Sequence, residues 1–311
     1  MNSLKVLYRI YESAEKITFD DSSKFVLISD CHRGDGSWSD NFARNRNLYI
    51  AALNHYYSKD YTYIELGDGD ELWENRNFSD IVSVHADAFK LLGKFYNKNR
   101  LYIIYGNHDI VKEGNGFYGE IFCNSFYEND KNRSLLFEKI KVHEGLVLRH
   151  KTTGHKIFLV HGHQVDYMNS NLWKLSRFLI RYLWRPLELF GITNPTSPAK
   201  NHDKKDSVDK RLIEWVKREN QMLVAGHTHR PVFPDVGKPP YFNDGSCVHP
   251  HCITAIEITC GHIVLVKWEI KTKNDGTLFA GRDIIEGPKK LADYYKKASA
   301  HNGNFSITLS K

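Results

Sequence analysis

The chain has 311 residues, 41% hydrophobic and 13% aromatic, which is enough to bury a sizeable core and too much for a disordered polypeptide. A formal net charge of +6 and a pI near 8.8 favour anionic partners such as phosphate compounds, nucleic acids or an acidic membrane surface, without choosing among them. Five cysteines, Cys31, Cys123, Cys247, Cys252 and Cys260, form no C-x-x-C pair, which speaks against a disulfide framework or zinc ribbon and for a reducing compartment.

Residues 1–16 contain no apolar stretch long enough for a signal peptide or a membrane span, so a cytoplasmic protein is expected. An apolar run at 25–28 then leads into Ser29-Asp30-Cys31-His32, followed by a helix-like stretch over 41–57. The run 61–66 leads into Gly67-Asp68-Gly69-Asp70 and a helix-like stretch over 79–97, and the run 101–105 leads into Gly106-Asn107-His108-Asp109. This repeated pattern predicts βαβ units, with polar groups gathered at the strand ends where open α/β sheets bind ligands. Further β-like runs at 141–150, 156–160, 221–225, 253–259 and 262–270 predict a second sheet. Two of them end in His161-Gly162-His163 and Gly226-His227-Thr228-His229. Between these lies a helical insert at about 169–220, read as a helix over 169–190, a loop over 193–205 and a helix over 207–220. The charged segment after Gly281 offers no reading.

The polar clusters form a series: D-x-H at Asp30 and His32, G-D at Asp68, G-N-H-D at Asn107, His108 and Asp109, H-G-H at His161 and His163, and G-H-x-H at His227 and His229. Carboxylate, imidazole and amide donors in this mixture suit manganese, iron or zinc, and no thiolate site is indicated. Ligands two residues apart converge only where the chain leaves a strand and turns, and the glycines at 67, 106, 162 and 226 assist such turns.

In this order the segments resemble the calcineurin-like metallophosphoesterase superfamily. The resemblance implies an α/β fold, a two-sheet β-sandwich flanked by helices, expected as a single domain over 1–311. It also implies two divalent metal ions, with manganese favoured. One would be held by Asp30, His32, Asp68 and His229, the other by Asp68, Asn107, His161 and His227, with Asp68 bridging. A metal-bridging hydroxide would attack the phosphorus while His108 protonates the leaving oxygen and Asp109 orients its ring. His108 as a further ligand or a packing residue is the competing reading, and His161 is chosen over His163 within one short segment.

Weaker candidates surround this set. Asp35 and Asp70 either orient ligand histidines or are solvated loop charges. Arg33 either contacts a substrate phosphate or caps a carbonyl, and His163 is a second candidate for substrate contact. Cys31 is expected to be buried. Cys247 to Cys252 superficially resembles a zinc cluster, but its donors crowd around Pro250, and the start of a strand after the turn 243–246 is the plainer reading.

In the insert, Lys174, Arg177, Arg181 and Arg185 recur every three or four residues and would form one basic stripe on a helix that Pro186 ends or kinks. Leu172, Trp173, Leu175, Phe178, Leu179, Leu183 and Trp184 fill the rest of its surface. Two arrangements are open. The helix packs into the core and shows its basic face to water, or residues 172–190 lie on an acidic membrane and shape a site for a lipid-linked phosphate. Gly67 to Trp73 and the insert are partly similar to the subfamily of UDP-2,3-diacylglucosamine diphosphatases, which cleave a lipid-linked UDP-sugar pyrophosphate. His108 and His163 depart from that subfamily's pattern, leaving a related phosphodiester or pyrophosphate as the expected substrate. A nuclease is disfavoured by the lack of a long basic tract, and an inactive scaffold by the complete ligand set.

Overall fold

Apolar residues alternate along the strands, and that period of two decides how the sheets stack. A computed structural model describes residues 3–115, 117, 137, 140–184 and 202–295. One sheet of eight strands runs, from one edge to the other, β13 (Leu278–Lys290), β12 (His262–Thr272), β11 (Cys252–Thr259), β2 (Lys24–Ile28), β3 (Thr62–Leu66), β4 (Leu101–Ile104), β6 (Lys141–His143) and β5 (Gly114–Asn115). The other sheet has five: β1 (Glu15–Phe19), β7 (Gly145–His150), β8 (Lys156–Val160), β9 (Met222–Ala225) and β10 (Tyr241–Asn243).

Phe25 and Leu27 of β2, Ile64 and Leu66 of β3 and Ile104 of β4 face Leu146 and Leu148 of β7, Ile157 and Leu159 of β8 and Met222 and Val224 of β9. Each fully buried side chain of this kind contributes roughly 1.5–3 kcal/mol. The intervening residues turn outward under helices. Val26, Ile28 and Tyr63 pack against α2 (Arg46–Ser58) and α4 (Ala86–Asn97). Val147, Phe158 and Leu223 pack against α1 (Ser3–Ser13) and the long helix His202–Glu219. The expected two-sheet sandwich flanked by helices is therefore the observed architecture.

Several elements differ from the sequence expectations. The single run over 141–150 is two strands, because the chain passes from one sheet to the other at Glu144: β6 pairs with β4 and β7 pairs with β1. The helix expected over 79–97 breaks at His85 into α3 (Phe78–Val84) and α4, where the buried His85 ring bonds Asp40 through Nε2 at 2.9 Å. Of the charged segment after Gly281, residues 282–290 complete β13, antiparallel to β12, and Leu291–Tyr295 form a short helix, while residues 296–311 fall outside the described residues.

Between β8 and β9 lie α5 (Tyr167–Ser170), α6 (Trp173–Leu179) and a π-helical turn (Ile180–Trp184) before α7 (His202–Glu219). Residues 185–201, with Arg185 and Pro186, fall outside the described residues. The arrangement with apolar residues inward and basic residues in water does not hold over 173–184. Arg181 turns inward and donates to the carbonyls of Leu72 and Trp73, both at 2.8 Å, while Leu175, Phe178, Tyr182 and Leu183 are exposed. Buried carbonyls need donors, and here a guanidinium supplies them. Among the described residues, no helix is long and apolar enough to cross a membrane.

Candidate metal centre

β2, β3 and β4 run parallel to one another in one sheet and β8 and β9 in the other, and each carries its polar cluster just past its C-terminal end. Ladder bonds continue beyond the strands: Asp30 N donates to the Gly67 carbonyl at 3.0 Å and His32 N to that of Asp68 at 2.9 Å. At this point the backbone does something that non-glycine residues seldom do. Asp30, His32, Asp68, His227 and His229 all have φ between 49° and 68°, the left-handed region. Each such residue costs about 1–2 kcal/mol, and such strain concentrates at functional sites. The conformation also explains the D-x-H and H-x-H spacing, since it turns side chains two residues apart into one nest.

The nest has two lobes. In one, His229 Nε2 lies 3.0 Å from Asp30 Oδ1 and 3.3 Å from His32 Nε2. In the other, Asp68, His161 and His227 bring one donor atom each within 4.8 Å of one another. Asp68 Oδ2 faces both lobes, 3.1 Å from His161 Nε2 and 3.8 Å from His32 Nε2. Close approach needs glycine here: a Cβ on Gly106 would stand 2.1 Å from Asp68 Oδ1, and one on Gly67 would stand 2.4 Å from the His161 ring.

Tautomers are set by partners that only accept. His161 Nδ1–H donates to the Leu66 carbonyl at 2.9 Å and His32 Nδ1–H to Glu71 Oε2 at 2.9 Å, so each Nε2 lone pair points into the nest. Asp30 Oδ2 accepts from His227 N at 2.9 Å and from Ser29 Oγ, which also bonds Asp244 at 2.7 Å. Burial raises the Asp30 carboxyl, but His229 and His161 outweigh it and hold it well below the usual range. Burial lowers the His161 imidazole, yet Asp68 and Asp30 lift it to about 9. A field that draws a proton so strongly draws a divalent cation by the same attraction.

The residues fit such cations on independent grounds. Asn107 Oδ1 and His227 Nε2 are buried with no hydrogen-bond partner, a state that buried polar atoms avoid unless an ion or water satisfies them. With two carboxylates, an amide and four imidazoles, the donor set matches borderline divalent metals.

His108 stands at the rim, with its side chain 18% exposed. Its backbone N donates to Asp68 Oδ1 at 2.8 Å, its ring stacks on Trp73 at 4.3 Å, and its Nδ1–H donates to Glu71 Oε1 at 2.7 Å. Burial raises the Glu71 carboxyl, but His108 and His32 pull it down to about 2, so it is an acceptor for both rings. Glu71 is the residue that sequence reasoning missed; the available signal was an acid three residues beyond Asp68.

Three expectations are corrected. Asp109 does not touch His108. Its Oδ1 accepts from Gly106 N at 2.7 Å and its Oδ2 from Gly69 N at 3.0 Å and Lys112 Nζ at 2.8 Å, clipping two ligand loops together. Asp70 orients no histidine but pairs with Arg33 Nε at 2.6 Å and with Lys112. Arg33 is fully buried, forks onto Glu65 at 2.8 and 3.0 Å and lies over Phe89, so it presents nothing to a substrate. Cys31 is buried as expected, and Asp35 accepts from Ser37 N in its own loop at 3.1 Å. His163 is brought beside the cluster, its ring 5.5 Å from that of His161, and burial followed by His161 and His227 keeps its imidazole well below the ordinary range. Among the described residues, no metal-competent group includes Cys247, His249 or Cys252.

The family model described as calcineurin-like phosphoesterase matches residues 23–231, a span that contains the whole nest. No curated protein matches the sequence. Among solved structures, the chain is similar to a conserved uncharacterized protein, a predicted phosphoesterase, from Streptococcus pneumoniae, at 15% identity over 84% of this chain and 97% of that one, with a TM-score of 0.34. It is also similar to Vps29 of Entamoeba histolytica complexed with zinc, at 13% identity over 85% and 99% of the two chains and a TM-score of 0.38. Vps29 of Chaetomium thermophilum gives 10% identity over 85% and 97%, with a TM-score of 0.37.

Proposed function

Because the chain belongs to the calcineurin-like phosphoesterase family and is a metal-dependent phosphoester hydrolase, we propose that it takes two divalent cations, manganese favoured, and cleaves a phosphodiester or pyrophosphate. Asp30, His32 and His229 would hold one cation and Asn107, His161 and His227 the other, with Asp68 serving both. The observation that carries this reading is Asp68 Oδ2, which faces His161 on one side and His32 on the other inside a buried nest. When bound, such cations would offset the charge of phosphoryl oxygens and would make water acidic enough to serve as a nucleophile at neutral pH.

The chain's own residues do the remaining work. Glu71 holds the Nδ1 proton of His108, leaving Nε2 as the atom that exchanges a proton with the leaving oxygen. Trp73, stacked on the ring, restrains it from turning away. His163, beside the second lobe, is the remaining candidate for phosphate contact. The test is His108→Asn, assayed with manganese and bis-p-nitrophenyl phosphate. Metal content should stay at wild type while turnover falls by about 10²–10⁴-fold. Loss of metal together with activity would make His108 a ligand, and wild-type protein inert with every divalent metal would overturn the reading.

A second reading places the reaction on a lipid-linked substrate at an acidic membrane surface. It is supported by the outward apolar face of Leu175, Phe178, Tyr182 and Leu183, flanked by the exposed Lys174 and by Arg177 over Trp173. Co-sedimentation with phosphatidylglycerol vesicles, lost in Phe178→Glu, is expected. No sedimentation at low salt would remove it.

A further inference from the structure

Of the four strands that end the two sheets among the described residues, β1 has five residues, β10 three and β5 two, while β13 has 13. A short edge presents few open N–H and C=O groups. A long one is a template for another strand, and chains blunt such edges with proline, lysine, a bulge or an outward charge. β13 is blunted at one end alone: Pro288 lacks an N–H, Lys289 and Lys290 follow it, and the register against β12 shifts between Ile263 and Val266. From Leu278 to Ile284 the pairing with β12 is regular and none of these devices is present. Both charges of that stretch are drawn back across the sheet. Arg282 Nε donates to Glu257 of β11 at 2.7 Å, and Asp283 accepts from Lys271 of β12 at 2.6 Å. What remains along the edge is apolar, with Leu278 66% and Ile284 50% exposed and Phe279 beside them in water.

We propose that two copies of this chain pair through these edges, antiparallel, about a two-fold axis at Gly281, and so join their eight-stranded sheets into one. Facing residues of an antiparallel pair share one side of the sheet, so the axis must pass through a residue. Leu278 and Ile284 lie three residues either side of Gly281. They pair with Thr272 and Val266 on the side of the sheet that α2 covers further in. An axis at Gly281 therefore sets Leu278 of each copy opposite Ile284 of the other and removes both from water. An axis at Arg282 would set two arginines opposite each other, and one at Ala280 would set Leu278 opposite Arg282. A second copy is the occupant this edge fits, because its apolar positions are symmetric about Gly281 and its ion pairs are already closed within one chain. The edge stands three strands away from β2, so pairing there leaves the nest untouched.

Sedimentation velocity of the full chain over a concentration series tests this, the expected mass rising toward twice 36.1 kDa. Leu278→Asp alone and Ile284→Lys alone should each raise the dimer Kd by about 100-fold, since each substitution enters the interface twice, while the thermal unfolding midpoint of the monomer stays near that of wild type. The double variant should dimerise again, because the new aspartate of each copy then faces the new lysine of the other. Wild-type protein that stays monomeric throughout, single variants that dimerise as wild type does, or a double variant that stays monomeric each overturn the proposal. Amide exchange over 278–284 should slow as concentration rises. Exchange that is already slow at the lowest concentration, and is freed by deleting residues 296–311, assigns the edge to the chain's own tail and overturns the proposal as well.

Discussion

Glu71 is shared by two histidines with different tasks, and that sharing makes Glu71→Gln informative. Both rings present Nδ1–H to the carboxylate, His32 at 2.9 Å and His108 at 2.7 Å. A glutamine has one acceptor oxygen and one amide that only donates, so it serves one ring and opposes the other. The opposed ring must move its proton to Nε2 and accept through Nδ1. If that ring is His32, the nitrogen facing Asp30 and His229 loses its lone pair and metal affinity falls. If it is His108, metal stays and turnover falls. A hydrogen bond to a charged group contributes about 1.5–3 kcal/mol, so the affected quantity should drop by roughly 10–100-fold. Metal titration and kcat measured on the same preparation separate the cases. Glu71→Ala leaves both rings unheld and should lower both quantities. Metal affinity and kcat both within about twofold of wild type in Glu71→Gln would refute the reasoning, because that is less than any lost charged hydrogen bond predicts.

Gly106→Ala would place a Cβ 2.1 Å from Asp68 Oδ1 and 2.5 Å from Asp68 N, so the β4 loop must retreat. A misplacement near 1 Å costs about 10²-fold in turnover; elemental analysis should also show depleted metal, and full occupancy with normal kcat would contradict the close approach. Lys112→Met removes the cation shared by Asp70 and Asp109 and leaves both carboxylates buried. Breaking a buried pair in this way costs about 3–5 kcal/mol, readable from the urea midpoint, and a loss below about 1 kcal/mol would show that the cluster is solvated.

The nest was legible because each of its members follows an apolar run. Residues 25–28, 61–66, 101–105, 156–160 and 221–225 read as buried strands, and the end of a buried parallel strand is where Asp30, Asp68, Asn107, His161 and His227 stand. Elements without that contrast were not legible. β13 is mostly exposed along its length, so its sequence shows charge and no buried face, and only its pairing with β12 makes it a strand. The change of sheet at Glu144 left the run over 141–150 looking continuous, because strand propensity does not record which neighbour a strand pairs with.

Beyond the strand ends, parity stops predicting direction, and the errors at Arg33, Asp70 and Asp109 share that origin. Asp68 at φ 50° turns the chain, so alternation no longer tells which of Gly69, Asp70 and Glu71 faces the nest. Charge balance does tell. Arg33 and Lys112 are both fully buried and need acids around them. Glu65 meets the Arg33 fork, Asp70 reaches both cations, and Asp109 takes the remaining contact of Lys112. Glu71 is left for His32 and His108, whose Nδ1 atoms both donate to it. Turning Arg33 toward a substrate would strand Glu65 and Asp70 in the interior with one cation fewer, at about 3–5 kcal/mol for each broken pair, more than an exposed phosphate contact returns.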